Sequence, residues 1–192
     1  MGLRIFMSCV QFLTYSISKM KKYFLSCFII LFVINGFAQI KSITDTSAGN
    51  LSFGMKYKEV LKIYPNLTKL MYDEGNYSAE LKNDKGKILF SLSFDTNKIL
   101  DGILIDDTTY QTATNIKVGM TFRDIMKEYE ITEIGHWLLP EDNMAYVEIK
   151  NSNLKFFVKI PSLVSKNDRF KLYTNDIPDN SKIKSIGINL AW

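Results

Sequence analysis

Two stretches of the chain carry the same pattern of apolar and polar positions. Leu51-Ser-Phe-Gly-Met-Lys-Tyr-Lys-Glu-Val-Leu-Lys-Ile-Tyr64 aligns without a gap on Ile116-Lys-Val-Gly-Met-Thr-Phe-Arg-Asp-Ile-Met-Lys-Glu-Tyr129. In the first, Tyr57, Val60, Leu61 and Tyr64 recur at i, i+3, i+4 and i+7; in the second, Phe122, Ile125, Met126 and Tyr129 do so. That spacing predicts one short amphipathic helix in each copy. Each is preceded by Gly-Met, where glycine suits a sharp turn that needs positive φ. Thr121-x-x-Asp124 predicts a capping box with aspartate in the acidic place, whereas Lys56-x-x-Glu59 lacks the hydroxyl. Pro65 predicts a stop after the first helix.

After each helix the period changes from 3.6 to two. Glu80-Leu-Lys-Asn83 matches Glu148-Ile-Lys-Asn151, and turn-forming residues follow both, so each site reads as a hairpin. Ile88, Phe90, Leu92 and Phe94 alternate with smaller or polar residues, as do Leu154, Phe156, Val158 and Ile160. Third strands are predicted over 98–105 and 182–190, the latter with Ile186, Ile188 and Leu190 on one face. The expected fold class is α+β: two tandem helix-plus-three-strand repeats, 51–105 and 116–190, with the helices on one face of an antiparallel sheet. Gln39 to Asn50 reads as a polar leader or edge. Pro161 to Ser181 has no counterpart in the first repeat, and loops of that length are often functional.

Residues 1–38 follow another pattern. Arg4, Lys19, Lys21 and Lys22 precede an apolar run from Tyr23 to Phe37, and Gly36-Phe37-Ala38 ends it with small residues. Charge, apolar stretch and small-residue exit predict a signal peptide cleaved after Ala38, too short to span a bilayer. Met20-Lys-Lys-Tyr is its natural start, with Met1 as the alternative. Cys27 after Leu25-Ser26 is a weak lipoprotein echo, because the apolar run follows it rather than precedes it. One exported domain, residues 39–192, is then expected in the periplasm or medium.

Export changes the charge balance. The net charge of +4 comes from the four basic residues of the leader; without them 20 basic residues face 20 acidic ones. The basic balance therefore implies nothing about nucleic acid. Cys9 and Cys27 leave with the leader, so the domain has no disulfide or thiolate site and must rest on its core.

The tandem Asn50-Leu-Ser-Phe-Gly-Met55 and Asn115-Ile-Lys-Val-Gly-Met120, with the closing stretch from Ile177 to Trp192, resemble a group of uncharacterised bacterial envelope and secreted proteins. More distantly, the helix-plus-meander repeat is similar to the β-lactamase-inhibitor-protein-like fold, shared with a small outer-membrane assembly lipoprotein. That resemblance implies protein binding without catalysis. The chain departs from those relatives in lacking a lipid-anchor cysteine and disulfide cysteines.

Candidate chemistry is sparse. His136 is the single histidine, with no partner at ligand spacing; Asp106-Asp107 and Asp176-Ile-Pro-Asp179 read as solvated turn residues. Outward positions differ more. Ser78, Glu80, Lys82, Ser91 and Ser93 in the first repeat become Tyr146, Glu148, Lys150, Lys155, Phe157 and Lys159 in the second. Aromatic residues amid lysines predict a binding patch of Trp137, Tyr146, Phe157, Lys150, Lys155 and Lys159, its lysines steering an acidic partner. The alternative is that Phe157 lies buried under the Pro161–Ser181 loop. The expected function is a non-catalytic exported binding or envelope-assembly module without cofactor or metal, its partner another envelope or extracellular protein. The second reading is a small extracytoplasmic hydrolase or ligand-processing enzyme using His136 and loop carboxylates.

Overall fold

The computed structural model describes residues 41–73, 75–137, 143–161 and 172–190. All belong to one compact unit, Ile40–Trp192. The predicted signal segment, and the lipidation and start-site readings attached to it, lie outside the described residues.

The strands are β1 (Lys41–Ile43), β2 (Ser47–Ala48), β3 (Leu51–Ser52), β4 (Met71–Asp73), β5 (Asn76–Lys82), β6 (Ile88–Phe94), β7 (Leu100–Ile105), β8 (Tyr110–Thr112), β9 (Ile131–Trp137), β10 (Met144–Ile149), β11 (Leu154–Lys159) and β12 (Ile183–Ile188). The helices are α1 (Tyr57–Ile63) and α2 (Phe122–Glu128), with a 3-10 turn at Thr174–Asp176. Eight strands form one antiparallel sheet in the order β4-β5-β6-β7-β12-β11-β10-β9. A second sheet, β3-β2-β1-β8, includes a parallel pair between β1 and β8.

This overturns the α+β expectation of two helix-plus-three-strand repeats with helices layered on a sheet. Strand dominates the described residues, and the α-helices among them are two seven-residue segments. Each half supplies four strands to the large sheet, not three. The missed strands, β4 and β9, are its two margins, where a sheet need not alternate cleanly. Gly135 and His136 break the period in β9, and β4 is only three residues long. The segment that reads as a polar leader or edge is an interior one: Lys41–Ile43 lies between β2 and β8, pairs in parallel with Tyr110–Thr112, and buries Ile43.

The core lies between the sheets. Phe90, Phe94, Ile103, Ile105, Phe156 and Ile186 face inward from the large sheet; Ile43, Ala48, Leu51 and Tyr110 come from the small one. The Tyr110 ring meets Phe90 edge-on at 4.9 Å, tying one sheet to the other. The helices add Val60, Phe122 and Ile125 to the same core. Tyr64 packs on Phe90 at 6.4 Å and Tyr129 on Phe156 at 5.5 Å, with nearly equal ring tilts. Gly54 and Gly119 occupy the same left-handed turn, at φ 86° and 93°, which glycine adopts without strain. What repeats is therefore a turn, a helix and a Tyr-on-Phe contact, set at equivalent places in a symmetric strand order.

Helix starts differ as the side chains dictate. In α2, Asp124 Oδ2 accepts the Thr121 backbone N–H at 2.9 Å and the Thr121 hydroxyl at 2.6 Å. The hydroxyl thus donates to the carboxylate, and these bonds, the hydroxyl's first, hold the Asp124 carboxyl below its usual range. In α1 only the backbone half exists, from Lys56 N–H to Glu59 Oε2 at 2.8 Å.

Candidate functional site

The outward face of the large sheet follows from its register. Gly135, Tyr146, Phe157 and Ser185 lie in one cross-strand row; Glu133, Glu148, Lys155 and Gly187 lie in the next. Around Tyr146 these rows make a fixed cluster. A Cβ at Gly135 would sit 2.2 Å from the Tyr146 ring, so glycine there lets the phenol lie flat across β9. The Tyr146 hydroxyl donates to Glu133 Oε1 at 2.8 Å. Lys155 stands over the ring at 5.8 Å and pairs with Glu148 at 2.8 Å.

Glu133 and Glu148 are direct cross-strand neighbours, a pairing that costs energy unless each carboxylate is compensated. Tyr146 compensates one and Lys155 the other. Burial, then the bond to Glu133, then the two carboxylate charges push the Tyr146 hydroxyl up to about 12. The cluster is a half-buried aromatic face with its polar groups already oriented, suited to recognition by stacking and hydrogen bonding.

The predicted patch is only partly assembled. Tyr146 and Lys155 belong to this cluster. Phe157 does not serve as an open anchor: it is 2% exposed. It is buried on the outward side, apart from the main core, with its ring 3.0 Å from where a Gly187 Cβ would stand. Leu190 closes the same spot, 2.4 Å from that position and 3.3 Å from a Cβ on Gly102. The chain reaches it through Asn189 at φ 48°, a left-handed turn just after β12. Leu190 therefore leaves the face of Ile186 and Ile188, contrary to the expected alternation. Asn189 N–H bonds Asn153 O at 3.0 Å and its side-chain amide bonds Asp101 O at 2.9 Å, holding the turn.

The expected lysine rim is largely neutralised. Lys150 reaches both Glu130 oxygens at 2.9 Å, and Lys155 is paired with Glu148. Lys159 is exposed at the end of β11. Trp137 ends β9 opposite Met144, and its side chain lies outside the described residues. Of the Pro161–Ser181 segment, residues 162–171 lie outside the described residues; at its far end Leu172 is buried in the main core and its N–H donates to Ile134 O at 3.0 Å.

His136 and Asp106 are not brought together. His136 is on β9 and Asp106 follows β7, with β12, β11 and β10 between them, a span of about 19 Å at the usual strand spacing. Asp106 accepts a hydrogen bond from the Ser185 hydroxyl, and Asp107 pairs with Lys41 at 3.6 Å. Asp176 caps the 3-10 turn by accepting Tyr173 N–H at 2.8 Å, and Asp179 binds Arg123 at 2.7 Å. Sequence reasoning missed Glu133 and Gly135. Their signal was present as a glycine and an acid two residues apart, but it acquires meaning only when β9 is paired with β10.

No family model matches the chain, and no curated protein matches it. Among solved structures, the uncharacterised protein YfeY from Escherichia coli is similar in fold, with a TM-score of 0.56 at 13% identity. The match covers 78% of this chain and 99% of that one. At that identity the likeness speaks to fold alone.

Proposed function

We propose that this protein acts outside the cytoplasm as a non-catalytic binding or envelope-assembly module whose partner is another envelope or extracellular protein. The observation that carries the reading is the Tyr146 cluster. An aromatic ring laid over Gly135, with its hydroxyl committed to Glu133 and a lysine–glutamate pair beside it, is ordered before any partner arrives. Pre-ordering lowers the entropic cost of association. Tyrosine supplies contact area with few rotatable bonds and is enriched where interfaces concentrate their energy. The charge-then-apolar pattern of residues 1–38 supports export. Among the described residues no helix is long and apolar enough to cross a membrane.

The test is affinity capture from envelope extract, comparing the native protein with Tyr146→Ser, the residue at the aligned position 78. Capture of a defined protein that falls about tenfold, or 1.4 kcal/mol, in the variant supports the reading. Equal capture by both forms overturns the assignment to Tyr146.

A further inference from the structure

The two margins of the large sheet are finished differently. At β9 the chain's own Leu172 bonds the edge at Ile134 and buries its side chain. At β4, the other end of the sheet, Met71 is 54% and Tyr72 is 65% exposed. Folded proteins ordinarily blunt an edge with charge, proline or a covering segment, because bare strands pair with other chains. Here an exposed methionine and tyrosine stand on the edge itself.

The chain lies along β5 from Thr68 onward. Thr68 N–H bonds Glu80 O at 2.9 Å, and Met71, Tyr72 and Asp73 pair with Ser78, Tyr77 and Asn76. Faces alternate along it. Leu70 packs against the core, and Tyr72 meets Tyr77 at 5.1 Å, extending the row Tyr77, Phe94 that runs inward. Met71, opposite Ser78, is on the outward face. The edge thus reads Lys69-Leu70-Met71-Tyr72-Asp73.

This five-residue run is complementary to itself when reversed. With a two-fold axis at Met71, each Lys69 position stands opposite an Asp73 position of the other copy. Leu70 stands opposite Tyr72 on the core-side face, and Met71 opposite Met71 on the outward face. Every pair matches in charge or in apolar character, and the parity of faces is preserved, as an antiparallel ladder requires. We propose that two copies of this chain join through β4 in an antiparallel, isologous edge-to-edge contact, continuing the eight-stranded sheet across the dimer axis. A strand this short makes a weak, concentration-dependent dimer rather than a permanent one.

The experiment is sedimentation equilibrium on protein isolated from its own host, across concentrations up to about 1 mM, where association as weak as 4.1 kcal/mol is still registered. A reversible dimer is expected. Tyr72→Lys should weaken it by tenfold or more (about 1.4 kcal/mol). Lys69→Asp should weaken it too, and adding Asp73→Lys should restore it, because the exchange returns opposite charges to each pair. Circular dichroism of each variant verifies the fold, which an exposed edge substitution should leave intact. A monomer throughout the range overturns the proposal. So does a dimer indifferent to Tyr72→Lys, or a double variant that fails to recover.

Discussion

The β4–β7 half and the β12–β9 half present the same inward row and different outward ones. Inward, Phe90 under Tyr64 is matched by Phe156 under Tyr129. Outward, Ser78 and Ser93 lie cross-strand in one half, while Tyr146 and Phe157 lie cross-strand in the other. Bulk on the second half's outer face required space from neighbours: Gly135 yields to Tyr146, and Gly187 to Leu190 and Phe157. An aromatic residue on a sheet face is thus not by itself an exposed one. What decides is whether adjacent strands carry a side chain at that height.

The largest test of this comparison addresses the shared part. Phe90→Ala and Phe156→Ala should each cost about 3–5 kcal/mol in denaturant unfolding, because both rings are fully buried. A loss below about 1 kcal/mol at either would mean that one half does not depend on its Tyr-on-Phe contact. Next comes the face that differs. Gly135→Ala places a methyl against the Tyr146 ring and should cost about 1–3 kcal/mol. Met71, its counterpart against Ser78 in β5, is exposed, so Met71→Ala should stay within about 0.5 kcal/mol.

The helix starts offer a smaller contrast. Thr121→Ala should cost about 1 kcal/mol, and Lys56→Ala less. Because the Asp124 carboxyl is held low when folded, it stabilises the fold above its unfolded value and loses that contribution as pH falls through the folded one. Thr121→Ala should flatten that acid-side dependence in thermal melts; an unchanged acid limb would count against the Thr121 contacts as its cause. The smallest signal is spectroscopic. Tyr146 is raised to about 12, so its neutral form favours the fold and its contribution fades as pH rises from about 10 through that value. Burial, then Tyr64, push the Tyr110 hydroxyl up further still, so phenolate absorbance should show two late-titrating tyrosines, of which Tyr146→Phe removes the earlier.

The inward alternation was readable from the sequence because a buried row must be apolar at every second residue: Phe90, Leu92 and Phe94 allow no other reading. The margins were not. β4 is too short for a period, β9 is interrupted by Gly135, and Lys41–Ile43 finds its second, parallel partner as far along the chain as Tyr110. The candidate site was half legible. Tyr146 and Lys155 stood out by contrast with the first repeat. Glu133 entered only through cross-strand register, and Phe157 left because Gly187 and the turn at Asn189 bring Leu190 over it. Local pattern reports which face a residue takes; it does not report what the next strand has vacated.

The parallel pairing of β1 with β8 has a kinetic meaning. β1 sits inside its sheet, between β2 and β8, yet it is the first described strand to leave the ribosome. It can close on β2 early, across a short turn, but its other side stays open until Tyr110–Thr112 has been made. Loop closure over that distance is slow compared with a hairpin. Traction applied ahead of Lys41 would therefore be felt by an interior seam and by the Tyr110 ring that rests on Phe90, rather than by a loose end. The amino-terminal strand is thus completed on its second side only after Tyr110–Thr112 is in place.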